Sequence, residues 1–288
     1  MYIQKLDLLD NFKNLVCPGC KNSFSSFSKA ENNLNCQFCA QSFKFHNNIF
    51  ISNQNISPEY FDKKYDFMES GNELPEIQSL CYRRQKLEVE KIFKAGDVIL
   101  DLGCGPSTCY EKPEGSYLIG VEPSYPSIRL NSKIDLGICG SATDLPLAER
   151  SIDCVVMFYS IHHMNSVSIN QNKIILSKVL AECARIIRPG GKVIIFDMNP
   201  WFPVWLLQGL TWNALKKSLK EKLDMYFWRE SELKKIASTA FKGIEFTFET
   251  KTYRSSGLLR FAPIFSLPNF KVPRFLYPFQ VKKYEWTT

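Results

Sequence analysis

Four short runs dense in Val and Ile, at 97–102, 117–121, 153–158 and 192–197, end in polar or glycine-rich residues. Runs of that length, apolar on both faces and rich in β-branched side chains, predict parallel strands buried between helices. Between the third and fourth runs, Ile174, Ile175, Val179, Ala181, Cys183, Ile186 and Ile187 fall on one broad face of a predicted helix, whose end is marked by Arg188-Pro189-Gly190-Gly191. Strands alternating with helices predict an α/β fold, a doubly wound parallel sheet. The first crossover must be short or irregular: Leu118 lies thirteen positions beyond Gly105, and the interval holds Pro106, Pro113 and Gly115. Residues 58–95 read as helical, with Glu88, Glu90 and Lys91 on solvated faces.

The ends of the first two strands carry the candidate chemistry. The first runs Val98-Ile-Leu-Asp101-Leu and turns through Gly103-Cys104-Gly105, and the second ends in Glu122. Ligands of open α/β sheets sit beyond the carboxyl ends of the strands, where glycines let the backbone approach and an acid after the second strand suits ribose hydroxyls. The turn has no third glycine and is not built for a pyrophosphate.

Asp101-Leu-Gly-Cys-Gly105 resembles the first motif of class I S-adenosylmethionine (SAM) dependent methyltransferases. Gly140-Ser-Ala-Thr-Asp-Leu-Pro146, Ser151 to Met164 and Ala184 to Asp197 are similar to the third to sixth motifs, in order. The resemblance covers roughly residues 80 to 255 and implies a Rossmann-like methyltransferase sheet with bound SAM. It implies that Asp101 organises the aminoacyl end, that the Gly103-Cys104-Gly105 turn admits the methionine backbone, and that Glu122 takes the ribose hydroxyls. The backbone at Ser141 and Ala142 would face the adenine, although the family usually carries an acid where Ser141 stands. Phe158 and Tyr159 fall near the expected sulfonium methyl, with His162 and His163 beside them as candidate proton acceptors. Competing readings stay open: Asp101 capping a turn, Cys104 and Phe158 as packing, and the histidine pair orienting its loop. Asn199-Pro-Trp-Phe202 follows the fifth strand of this family's sheet, not the fourth, so it is not the Asn-Pro-Pro-Tyr type motif of base and amide methyltransferases.

Near the amino terminus, Cys17-Pro-Gly-Cys20 and Cys36-Gln-Phe-Cys39 are separated by fifteen residues. Two C-x-x-C knuckles at this spacing predict a tetrahedral zinc site, structural because four thiolates leave no open position. Phe24, Phe27, Leu34, Phe38, Phe43 and Phe45 are the candidate core of this ribbon. Zinc ribbons ahead of such a domain resemble both guanine methyltransferases of large-subunit ribosomal RNA and a set of small-molecule methyltransferases. The order of the ribbon, Phe50-Ile51 and Tyr60 to Tyr65 is closer to the second.

The expected organisation is a zinc-ribbon module and linker at 1–57, a methyltransferase domain at 58–255 with a cap insertion at about 200–228, and an arm at 256–288. Ten cysteines, six of them scattered outside the two knuckles, the lack of a secretory signal and the absence of an eighteen-residue apolar run point to a cytoplasmic protein. Much of the net charge of +7 lies late: from Lys251 onward there are seven Lys or Arg against the single Glu285, among nine aromatics, with Pro263, Pro268, Pro273 and Pro278 opposing helix. Such an arm suits packing over its own domain, a membrane interface or RNA. Trp201, Trp205 and Trp212, with intervening leucines, favour an apolar ligand or lipid surface at the cap. The leading expectation is methyl transfer to O, N or C of a small, lipophilic or aromatic molecule. The alternatives are a ribosomal or transfer RNA methyltransferase gripping RNA with ribbon and tail, and a non-catalytic methyltransferase-like partner protein. The oligomeric state is not legible.

Overall fold

The computed structural model describes residues 14–23, 26–28, 33–52, 84–253 and 279–288. The helical reading of 58–83, the Tyr60 to Tyr65 segment, Phe24 and the four tail prolines lie outside them. Four short strands come first: β1 (Ser26–Ser28), β2 (Asn33–Asn35), β3 (Ser42–His46) and β4 (Ile49–Ile51), each antiparallel to the next. Then follow β5 (Val98–Leu102), β6 (Tyr117–Glu122), β7 (Leu136–Cys139), β8 (Ile152–Phe158), β9 (Ile187–Pro200), β10 (Thr247–Tyr253) and β11 (Phe279–Thr287). They form one sheet in the order β1-β2-β3-β4-β7-β6-β5-β8-β9-β11-β10. The stretch from β7 to β9 is parallel, and β5 and β7 are buried at every residue, as a strand covered on both faces must be.

The sequence expectation of a doubly wound sheet holds, with three differences. The strand β7 was not anticipated: four residues, Leu-Gly-Ile-Cys, are too few to stand out as a periodic run. The helix after β8 spans Ile169–Ile186, and its buried face is Asn172, Leu176, Val179, Leu180, Cys183 and Ala184. Val179, Cys183, Ile186 and Ile187 are buried as read from the sequence and Ile175 packs on the core, but Ile174 is half exposed and Ala181 faces solvent, so that face was drawn too broad. Residues 279–287 are no arm. β11 lies between β9 and β10, antiparallel to both, and belongs to the same sheet. Its alternation hid it: Tyr284 and Trp286 are buried on one face against Phe241 and Phe248, while Lys283 and Glu285 on the other are ion-paired to Glu88 and Lys192.

The helices are α1 (84–90), α2 (Tyr125–Ile128), α3 (Ile169–Ile186), α4 (Phe202–Leu219) and α5 (Glu230–Ala240). Ser168 caps α3, its hydroxyl accepting from the Gln171 N–H at 3.2 Å. Residues 103–116, the first crossover, hold turns and no helix, as the prolines require. The ribbon is continuous with the main core. β4 runs parallel to β7, and Leu34, Phe45 and Phe50 join the cluster that includes Leu100, Val121 and Ile138. Phe43 packs against it, but Phe38, expected inside, is 65% exposed.

Candidate active site and cysteine centre

Strand order reverses at β5: the chain leaves it toward β6 and β7 on one side, then returns to β8 and β9 on the other. Ligand crevices of open sheets form at such a switch point. The predicted cofactor residues collect there. Gly103 has φ +77° and Gly105 φ +57°, backbone that favours glycine. A Cβ at Gly103 would also stand 2.5 Å from the Ser160 Cβ, so the residue is doubly restricted. The Gly103 N–H donates to the Val121 carbonyl at 2.8 Å, tying the turn to β6. The Glu122 carboxylate accepts from the N–H groups of Gly105 and Ser124, each at 3.2 Å, which holds it at the carboxyl end of β6.

Asp101 is buried at the end of β5 and accepts from the Thr108 hydroxyl at 2.9 Å. Its Oδ1 has no hydrogen-bond partner among the described residues, and none of their cations pairs with it. Burial pushes the carboxyl up to about 6; Thr108 and the nearby Tyr110 hydroxyl pull the other way. A buried acid with one oxygen unpartnered and no counter-charge among the described residues fits a cationic ligand group. The thiol of Cys104, by contrast, turns into a small cluster with Ile128 and Cys139, beneath Gly120, and its N–H is taken by Val121. The Cys104 side chain is thus placed in packing, and the turn presents its backbone at Gly103 and Gly105.

At the end of β7 the Ser141 hydroxyl accepts from the Thr143 N–H at 3.2 Å and shares a 2.8 Å hydrogen bond with the Thr143 hydroxyl. It is occupied in shaping its own turn. Ala142 packs partly into the main core. Phe158, ending β8, stacks on Phe196 at 4.4 Å and lies 5.9 Å from Tyr110. Tyr159 has φ +51°, a conformation bulky residues rarely adopt, and its hydroxyl accepts from Gln85 at 2.9 Å. A strained residue at a strand end is a pointer to function.

The two histidines differ. His162 is buried in a 3-10 turn at Ile161–His163, with Nδ1 2.7 Å from Asp197 Oδ1 and its backbone N–H donating to Asp197 Oδ2 at 3.3 Å. A carboxylate oxygen at Nδ1 suits the tautomer with its proton there, leaving Nε2 free to accept. His163 is half-buried, its ring centroid 4.3 Å from that of His162 and its Nδ1 3.4 Å from Asp224. Beyond them, α4 buries Trp212, whose Nε1–H donates to the Ser166 carbonyl at 3.2 Å, and is tied to the domain also by Trp205, Gln208, Asn213 and Lys216. Its outer face exposes Phe202, Leu206, Leu207 and Leu210, the last at 77%.

Sequence reasoning missed Asn131, Thr108, Ser160, Asp197 and Asp224. Asn131 donates to the carbonyls of Cys104 and Gly105 and to the Thr108 hydroxyl, and so braces the glycine turn from 26 residues away. Asp197 was within reach, because it ends an apolar strand as Asp101 does.

The four cysteines meet as expected. Their Sγ atoms lie within 4.8 Å of one another, with 3.5 Å from Cys17 to Cys39 and 3.4 Å from Cys20 to Cys36. Sulfurs bonded tetrahedrally at about 2.3 Å would stand about 3.8 Å apart, so the donor set fits a zinc ion. Lys21 (φ +60°) and Ala40 (φ +57°) close the two knuckles, where the carbonyls of Cys17 and Cys36 accept from their N–H groups. Burial pushes the Cys17 thiol up to about 12, whereas the Asn22 side chain and backbone draw Cys20 down to about 6.

The fold and the strand-end residues resemble those of a class I, SAM-dependent methyltransferase domain, and a family model described as a methyltransferase domain matches residues 100–195. Among relatives, the chain is 32% identical over 104 residues to the tRNA (carboxymethyluridine(34)-5-O)-methyltransferase of Arabidopsis thaliana, covering 35% of this chain and 24% of that protein. It is 29% identical over 107 residues to the demethylmenaquinone methyltransferase of Corynebacterium urealyticum, covering 36% and 43%. The chain spans less than half the length of these curated relatives. A solved structure of similar fold is the complex between the Haloferax volcanii Trm112 methyltransferase activator and a methyltransferase, at 16% identity and a TM-score of 0.44, covering 74% of this chain and 98% of that one.

Proposed function

We propose that the protein transfers a methyl group from SAM to O, N or C of a small lipophilic or aromatic molecule, in the cytoplasm, with a structural zinc ion in its four-cysteine centre. The observation that carries the cofactor reading is the buried Asp101 carboxylate without a counter-charge among the described residues, set beside a turn of two positive-φ glycines, where a Cβ on Gly103 would meet Ser160. Bound there, the cofactor would supply an electrophilic methyl on a sulfonium; the acceptor would attack that carbon in line as the S–CH3 bond breaks and the neutral thioether leaves. Asp101 holds the cationic amino group, and Glu122 the ribose hydroxyls. Tyr159, Phe158 and His162 border the place where an acceptor would approach, because they end β8 beside β5. His162 takes an O–H or N–H proton from the acceptor when it has one, its ring held by Asp197. His163 is a weaker candidate, since it is partly exposed and tied to Asp224.

The lipophilic acceptor is supported by α4, whose leucines face outward directly after β9, with Lys217, Lys220 and Lys222 exposed at its far end. Such a helix suits peripheral contact with an anionic lipid surface. Among the described residues no helix is long and apolar enough to cross a membrane.

An RNA acceptor is the second reading, favoured by the tRNA-modifying relative from Arabidopsis thaliana. The described part of the basic tail gives it little support: Lys251 and Lys283 pair with Glu88, and Lys282 with Glu230. Incubation with methyl-labelled SAM and clarified host extract, followed by separation of RNA, protein and organic-soluble fractions, tests the choice. Label in the organic-soluble fraction is expected; label in RNA would reverse the ranking.

A further inference from the structure

The loop 140–148, which carries Ser141 and Ala142, is gripped at both ends by the cysteine module. At its start, β4 pairs with β7 up to Ile51 beside Cys139, and the N–H and hydroxyl of Ser52 both donate to the Cys139 carbonyl, at 3.1 and 3.2 Å. The fit is close: a Cβ on Gly140 would stand 2.1 Å from the Ser52 hydroxyl. At its end, the Val16 N–H donates to the Pro146 carbonyl at 3.0 Å and the Ala148 N–H to the Asn14 carbonyl at 2.8 Å, with Leu15 and Leu147 both fully buried between them. In the middle, Lys21 pairs with Asp144.

These grips hang on different knuckles. Residues 14–16 and Lys21 flank the Cys17/Cys20 knuckle, whereas β4 follows the Cys36/Cys39 knuckle through β3. The close sulfur pairs cross from one knuckle to the other, Cys17 to Cys39 and Cys20 to Cys36. An ion held by all four sulfurs would join the two halves of the clamp, and without it four thiols or thiolates have no charge to hold them together.

We propose that a metal ion in the four-cysteine centre sets the conformation of loop 140–148, and through it the affinity for SAM. This rests on the cofactor reading above, in which the loop meets the adenine. A loop ordered in advance spares the cofactor the entropy of ordering it, so metal and SAM bind with positive coupling.

The test compares full-length protein loaded with zinc, the same protein stripped by a chelator under reducing conditions, and the Cys39→Ser variant. Two quantities are followed: SAM affinity by calorimetric titration, and amide hydrogen exchange at 140–148. Metal loss is expected to speed exchange across the loop and to weaken SAM about tenfold, both reversed by returning zinc, while β5 and α3 stay protected. Unchanged loop exchange and affinity in protein verified as metal-free would overturn the proposal. So would loss of protection in β5 and α3 together with the loop, since the ion would then support the whole fold. If the zinc-loaded protein binds no SAM, the cofactor reading fails on its own, and the exchange arm still decides whether the metal holds the loop.

Discussion

The ionisation of Asp101 makes SAM binding pH-dependent in a calculable way. Its carboxyl sits at about 6 in the free protein because burial opposes the charge more than Thr108 and Tyr110 support it. A cationic amino group at the partnerless Oδ1 favours the charged form, so SAM binds the ionised protein. At pH 5 about one molecule in ten is ionised and at pH 7 about nine in ten, so affinity should rise about tenfold across that interval, or ~1.4 kcal/mol. Below pH 6 binding should release close to one proton. The free protein moves the other way. Its raised carboxyl holds a proton between the ordinary value near 3.8 and about 6, so stability falls as pH rises through that window. Cofactor should therefore raise the melting temperature more at pH 7 than at pH 5. Calorimetric titration at both pH values, in two buffers of different ionisation enthalpy, measures affinity and proton release together. Asp101→Asn should bind weakly and lose the slope. Equal affinity at pH 5 and 7 in the wild type, or the same slope in the Asn variant, refutes the assignment.

Deleting residues 279–288 should abolish folding, because β11 pairs with β9 and β10 and buries Tyr284 and Trp286; circular dichroism on the truncated chain checks this. The milder Trp286→Ala should cost about 3–5 kcal/mol in denaturant titration. Asp197→Asn frees His162 from its carboxylate and should lower kcat about a hundredfold with little change in SAM affinity, if the acceptor must lose a proton. A loss confined to SAM affinity would remove the base role. Leu207→Ser with Leu210→Ser, on the exposed face of α4, should leave the melting temperature within a degree or two and reduce co-sedimentation with anionic vesicles several-fold.

Much of the sheet was legible in the residues themselves. β5, β6, β8 and the later part of β9 are buried on both faces, so their apolar runs are continuous and visible without a structure. The places of Asp101 and Glu122 near two strand ends were legible too, as was the turn at Gly103 and Gly105, because a chain that turns tightly at a strand end needs glycine there. The same holds for the cysteine knuckles, whose spacing alone brings two sulfurs together. These are all local requirements, satisfied within a few positions of the chain.

What lay beyond the sequence depends on partners far along it. β11 reads as a basic arm until Lys283 meets Glu88 and Glu285 meets Lys192, when its charges become one covered face of a strand. Asn131 is an ordinary polar residue until the fold carries it beneath the glycine turn, and Cys104 changes from lining the site to packing because Gly120 leaves room for its sulfur. Ribbon and domain looked separable because nothing local to either records the pairing of β4 with β7. The sequence by itself determined the buried parallel strands β5, β6, β8 and β9 and the residues at their ends; only the tertiary structure decided which edges pair and which charges cancel, since those terms arise between residues that the chain leaves far apart.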